Sequence, residues 1–215
     1  GPHSQELAGE AFLCKFGDHL VQQPEHQLPT LTGAHLQEGI THMQDNAPGL
    51  DGVLKGDLRC LSDHALEWLA QLLNSIEQGA PWPDQMLVGR TAWLDKTDGP
   101  EPSTDPLDYR GLAILSKVYR LYGVVRLRHL HPWILTWEQA EIYAGTTLPN
   151  GAEDAWYLMA LDFEIARLTG QPLTGGSADI WKCFDQVQRK LLYFLLEVAG
   201  FPKPVLRAYM SFHEA

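Results

Sequence analysis

The sequence predicts a mixed α+β fold, rich in helix, with one β-hairpin and one further strand. Three observations carry that expectation. Apolar residues recur at helical spacing over much of the chain. A run of extended preference at 86–94 is answered by another at 109–115 across a loop rich in Gly and Pro. The order helix, hairpin, helix, helix, strand, helix lacks the regular alternation of a βαβ array.

Taken in order, Leu7, Ala11, Cys14 and Val21 sit at loose helical spacing, and Pro24 and Pro29 break the pattern. A second helix starts at Leu31-Thr32, with Leu36, Ile40 and Met43 on one face. The stretch Asn46-Ala47-Pro48-Gly49-Leu50-Asp51-Gly52-Val53 is rich in turn residues and reads as a loop. Over 62–78, Ser62 is placed to cap a helix, and Asp63 and Glu67 suit its positive end. Leu66, Leu69, Leu73 and Ile76 line one face, and Gly79 with Pro81 stops the helix.

The strand at 86–94 ends in Asp95-Lys96, and Tyr109-Arg110 opens the returning one. A hairpin of this kind presents Lys96 and Arg110 near its base. Two such cations can hold a polyphosphate, Arg as a two-pronged fork and Lys as a point charge. They can equally pair with Asp95, Asp98, Glu101, Asp105 or Asp108.

A helix over 116–130 turns Val118, Leu121, Tyr122 and Val125 inward, with Lys117, Arg120 and Arg128 on a different face, and His131-Pro132 ends it. Asn150 and Glu153 have capping-box spacing, ahead of a helix whose apolar face is Leu158, Leu161, Ile165 and Leu168, closed by Gly170. After Gly175-Gly176 comes the stretch with most chemical content, Ala178-Asp179-Ile180-Trp181-Lys182-Cys183-Phe184-Asp185. It reads as a short strand carrying Asp179, then a helix capped by Asp185 with Val187, Leu191, Phe194, Leu195 and Val198 inward. Gly200 ends that helix, and Phe201 to Pro204 turns into a last one.

Composition excludes some classes. The chain has 215 residues, 45% hydrophobic and 20% charged, enough to bury a sizeable core. No apolar run approaches the roughly 18 residues of a membrane span, so no membrane partner is expected. A net charge of −11 argues against a simple basic nucleic-acid module. Yet from Tyr109 to Trp137 there is no Asp or Glu, while Arg110, Lys117, Arg120, Arg126 and Arg128 are all cationic. That island is either a phosphate-facing surface or a helix face paired with acids elsewhere. Cys14, Cys60 and Cys183 are odd in number and widely spaced, which points to an intracellular, reducing compartment. His19, His26, His35 and His42 form no tight zinc pair, and His129 and His131 lack companions. The chain begins Gly1-Pro2-His3-Ser4 without Met and stops inside an apolar-periodic stretch, from which a piece of a longer protein is expected.

Each motif alone is weak; their order is specific. The loop 46–53 resembles the entry motif of reverse transcriptases of the group II intron and non-LTR retroelement type. Trp93-Leu94-Asp95-Lys96 is similar to their fingers strand with its lysine, and Asp105 to Leu112 is similar to the fingers motif that follows. Gln139 to Trp156 looks like the segment leading to the palm. Ala178 to Arg189 matches the first palm motif, Asp-x-x-x-x-Phe-Asp, and Gly200-Phe201-Pro202 matches the turn after its helix. The resemblance covers residues 45–215. It implies the fingers and partial palm of a right-hand polymerase: a helical leader over 1–44, fingers over 45–172 and the start of the palm over 173–215.

The resemblance also implies roles. Asp179, with the Ile180 backbone carbonyl beside it, would hold catalytic Mg²⁺ (or Mn²⁺), a cation suited to carboxylate and phosphate oxygens. Lys96 and Arg110 would take the triphosphate of the incoming dNTP. Phe184 would lie under the sugar and exclude a 2′-hydroxyl, and Asp185 would cap the helix. Lys117, Arg120, Arg126 and Arg128 would face the RNA template and DNA primer. Two departures bear on this: Gly111 stands where the family has Pro, and Asp95 adjoins Lys96. The family's Tyr-x-Asp-Asp motif supplies further metal-binding carboxylate, and this chain contains no Asp-Asp pair. The chain alone is therefore expected to be catalytically incomplete. The alternative reading is a non-catalytic RNA-binding module that depends on Arg120, Arg126 and Arg128 and is indifferent to Asp179. A third reading makes Asp179 a cap or ion-pair partner in an acidic helical domain.

Overall fold

The computed structural model describes residues 2–96, 104–137, 151–180 and 183–215, the side chains of 2–8, 184 and 185 excepted. In chain order the elements are α1 (Pro2–Phe16), α2 (Gly33–His42), α3 (Lys55–Arg59), α4 (Asp63–Glu77), α5 (Asp84–Leu87), β1 (Arg90–Asp95), β2 (Tyr109–Ile114), α6 (Lys117–Ile134), α7 (Ala152–Thr169), α8 (Arg189–Val198) and α9 (Lys203–His213). The fold is thus α+β, helix-rich, with a two-stranded antiparallel sheet. The chain divides into two compact units, one of residues Gly1–His26 with Leu130–Phe201 and one of Gln27–His129 with Pro202–Ala215.

The second of these units has the larger core. Thr32 caps α2 by accepting from the His35 amide at 3.3 Å. Ser62 caps α4 by accepting from the Ala65 amide at 3.3 Å, as the patterns require. Leu36, Ile40 and Met43 from the α2 stretch meet Leu66, Leu73 and Ile76 of α4, and Val118, Leu121, Tyr122 and Val125 of α6 close over them. The Asn74 side chain fixes the chain's entry into α2, accepting from the Leu31 amide at 2.9 Å and donating to the Leu31 carbonyl at 2.8 Å. α9 seals the core through Ala208 and Phe212. The Trp82 indole donates to the Ala208 carbonyl at 2.8 Å, while Phe212 stacks on Tyr119 with ring centroids 3.6 Å apart.

β1 and β2 pair antiparallel from Arg90↔Ile114 to Asp95↔Tyr109. The expected strand at 86–94 is therefore shorter and later, because Asp84–Leu87 forms the helical turn α5. α3, after the turn-rich loop, has no counterpart in the sequence reading.

In the other unit, α8 packs on α1 where Gly9 leaves room: a Cβ there would stand 2.8 Å from the Phe194 ring. α6 was expected to stop at His131-Pro132, yet it runs through Pro132 to Ile134. A proline in a helix loses one hydrogen bond and crowds the preceding turn. Here the next turn is held from outside, since buried Trp133 donates its indole N–H to the Ala199 carbonyl at 2.8 Å. Gly200, at φ +77°, ends the turn after α8, and a Cβ on it would collide with the Pro24 carbonyl.

Four local expectations need correction. α7 forms where periodicity placed it, but Leu158, Leu161, Ile165 and Leu168 are exposed. Periodicity shows that a helix could bury one face, not that a neighbour covers it. The cap of α7 also shifts by one residue, to the Gly151 amide donating to Asp154 at 2.7 Å. Residues 171–180 form no strand and are exposed. A short two-sided β-run gains its ladder only from a partner strand, and none pairs with it among the described residues. Asp185 does not occupy the N-cap of α8, which begins at Arg189 with Gln188 before it; Cys183–Gln186 is a single 3₁₀ turn instead.

Candidate functional site

The hairpin places two of the candidate residues together. Arg110 lies opposite Leu94 in the ladder. Pairing continues one step past Asp95, where the Lys96 amide donates to the Asp108 carbonyl at 2.8 Å. With side chains alternating along a strand, Lys96 follows Leu94 by two positions and so shares the face of Arg110. Both are exposed. The Lys96 ammonium donates to the Leu107 carbonyl at 2.7 Å, which holds it at the return of the hairpin. That return is shaped by Asp105, whose carboxylate accepts from the Leu107 amide at 2.9 Å. On the opposite face Trp93 pairs with Gly111, and a Cβ on Gly111 would meet the indole at 3.2 Å. Gly111 therefore makes room for the ring of Trp93, itself 67% exposed. The loop 97–103 between the strands lies outside the described residues.

The turn-rich loop is anchored where β2 passes into α6. The Lys117 ammonium donates to the Asn46 carbonyl and to Asn46 Oδ1, both at 2.8 Å. Arg120 donates to Asn46 Oδ1 at 2.6 Å and to the Ala47 carbonyl at 2.7 Å. Gly49 lies so near Leu115 that a Cβ would stand 2.9 Å from its carbonyl oxygen. Lys117 is fully buried, and burial, followed by the charge of Arg120, holds its ammonium below the usual lysine range. Sequence reasoning missed Asn46 as the anchor. Its only signal was an Asn at the head of a turn-rich run.

Arg126 is also buried. Its Nε donates to Glu77 Oε1 at 2.6 Å and its Nη2 to Glu77 Oε2 at 2.5 Å, while Nη1 donates to the Pro29 carbonyl at 2.8 Å. The Tyr122 hydroxyl donates to Glu77 Oε1 at 2.9 Å. Burial, with the Glu77 charge, raises that hydroxyl above the usual tyrosine range. Arg128 pairs with Glu38 across to α2. The basic face expected over Lys117, Arg120, Arg126 and Arg128 is thus not a solvent-facing row. Two of the four are inside the core, and each has an internal partner, because a long cationic side chain at a core position seeks the nearest buried acceptor.

Asp179 and Ile180 are exposed in the irregular stretch 171–180. They belong to the unit of Gly1–His26 with Leu130–Phe201, whereas Lys96 and Arg110 belong to the other. The Asp179 carboxylate is a hard oxygen donor of the kind Mg²⁺ takes, and Mg²⁺ needs only one or two such carboxylates beside substrate phosphates and waters. Among the described residues no group of three or more His, Cys, Asp or Glu gathers as a metal cage. A single exposed carboxylate can supply one ligand to such a cation. Trp181, Lys182, the segment 138–150 and the side chains of Phe184 and Asp185 lie outside the described residues. No protein-family model matches the chain, and no curated protein matches it.

Proposed function

We propose that this chain forms the fingers and the beginning of the palm of an RNA-directed DNA polymerase, of the group II intron and non-LTR type. What supports the reading is the hairpin: Lys96 and Arg110, on either side of its loop, share one exposed face beside the hairpin's return. The loop 46–49 is braced on the exit of that same hairpin by Lys117 and Arg120. A cation pair on one face of a ribbon suits a triphosphate, whose charge it offsets.

In this reading Arg110 forks onto phosphate oxygens and Lys96 exchanges its carbonyl partner for one. Asp179 and the Ile180 carbonyl hold the divalent cation, Mg²⁺ or Mn²⁺. Phe184 excludes the 2′-hydroxyl of the sugar. The bound metal would supply charge stabilisation for the leaving pyrophosphate and activation of the primer hydroxyl. RNA template, DNA primer and dNTP are the partners, and one carboxylate leaves the chain catalytically incomplete.

Binding of dNTP with Mg²⁺, followed by tryptophan fluorescence, tests the proposal. Lys96→Ala and Arg110→Ala are each expected to weaken binding about tenfold, equivalent to about 1.4 kcal/mol, with unfolding unchanged. Equal affinity in wild type and both variants, or equal affinity for the nucleoside without phosphates, overturns it. Primer extension by the 215 residues alone is expected to stay at background; robust extension would contradict the incomplete metal site.

A further inference from the structure

The buried end of the Arg126 network carries a titratable group with no part in the proposed chemistry. Arg126 Nη1 lies 3.1 Å from His129 Nδ1. A guanidinium nitrogen can only donate, so Nδ1 must accept and must be free of a proton. The imidazole is half-buried and meets the His35 ring of α2 edge-on, centroids 4.8 Å apart. The charged and titratable groups around it come from three helices. Arg126 and Arg128 stand on α6, His35 and Glu38 on α2, and Glu77 reaches from α4 through Arg126. Glu38 offsets part of this charge, but it is already paired with Arg128.

We propose that the His129–Arg126 contact is an acid-sensitive latch on the stretch of α6, residues 126–129, that packs against α2 and the Pro29 segment. With Nδ1 unprotonated, the imidazole keeps Nη1 aimed between itself and the Pro29 carbonyl, and the rest of the guanidinium stays flat on Glu77. A proton arriving from solvent on Nδ1 removes the acceptor and sets an imidazolium N–H against the guanidinium. The two cations then repel at hydrogen-bond distance. This stretch of α6 loosens from α2, and Glu77 loses its fixed partner.

The direction with pH follows from the same geometry. Burial, then Arg126 and His35, hold His129 from its usual 6.5 down to about 4. The unfolded chain takes up the proton first as pH falls, so the latch contributes fully above about pH 6.5 and is lost on the way to about pH 4. Between pH 7.5 and 5.0 this raises the unfolding constant on the order of tenfold.

Urea unfolding of the full chain at pH 7.5 and 5.0 tests the latch in wild type, His129→Asn and His35→Phe. The Asn Oδ1 replaces Nδ1 as an acceptor that takes no proton. His129→Asn is expected to reduce the pH-dependent ratio on the order of tenfold relative to wild type, whereas His35→Phe, which keeps the ring contact and leaves burial and Arg126 acting on His129, retains most of it. An unchanged ratio in His129→Asn, or a ratio in His35→Phe as small as that in His129→Asn, overturns the proposal. If His129→Asn does not fold, NMR titration of the wild-type His129 ring decides. An imidazole still neutral at pH 5.5 supports the latch, and one that titrates near 6.5 overturns it.

Discussion

Arg126 and Glu77, on α6 and α4, meet as a two-pronged pair inside the core, Nε on Oε1 at 2.6 Å and Nη2 on Oε2 at 2.5 Å. Both side chains are nearly inaccessible, at 4% and 8% of full exposure. A buried pair of this kind is costly to break and often neutral to replace, because its attraction does little more than offset the loss of hydration.

Glu77→Ala is accordingly expected to destabilise this unit by about 3–5 kcal/mol, since it strands the Arg126 charge. The double replacement Glu77→Leu with Arg126→Met should recover part of that loss, the Tyr122 hydroxyl still losing its acceptor. Urea unfolding of the single and double variants measures the difference. A double variant as unstable as Glu77→Ala would mean that the pair itself stabilises the core.

Asn46 holds two cations on one side-chain oxygen. Asn46→Ala removes that acceptor, leaves Lys117 and Arg120 only the Asn46 and Ala47 carbonyls, and is expected to cost about 1.5–3 kcal/mol, the worth of a hydrogen bond to a charged group. Asn46→Asp keeps the oxygens and adds a charge of the right sign, so it should unfold later than Asn46→Ala. Thermal unfolding of both variants ranks them.

Two helical glycines should respond in opposite directions. At Gly39 a Cβ would stand 2.5 Å from Val125 Cγ2, and overpacking by about 1–3 kcal/mol outweighs the helix preference of alanine. At Gly123 nothing lies within 4 Å of the added atom, so Gly123→Ala should stabilise by about 0.5–1 kcal/mol. Equal effects would show that α2 and α6 are not packed as closely as described.

Gly200→Ala imposes a side chain on a backbone at φ +77° and drives it into the Pro24 carbonyl. The backbone conformation alone costs about 1–2 kcal/mol, and the collision adds to it. The contacts at stake are the Gln23 amide on the Val198 carbonyl at 3.2 Å and the His26 amide on the Gly200 carbonyl at 2.8 Å. Hydrogen exchange should therefore quicken at these two amides and leave the core around Leu36 and Leu121 protected.

The sequence by itself determined the elements whose causes are local. Ser62 and Thr32 cap the helices they precede, Gly79 and Gly170 end theirs with positive φ, and the hairpin closes on Lys96 and Arg110. Each depends on residues within a few positions, or on two strands joined by one loop. Tertiary structure decided what lies across space. It turned Lys117 and Arg126 from a basic face into buried anchors for Asn46 and Glu77, because a cation at a core position takes whatever acceptor folding brings to it. It carried α6 through Pro132, since Trp133 finds the Ala199 carbonyl. It left Asp179 on an irregular stretch, because a strand needs a partner that its own residues do not specify.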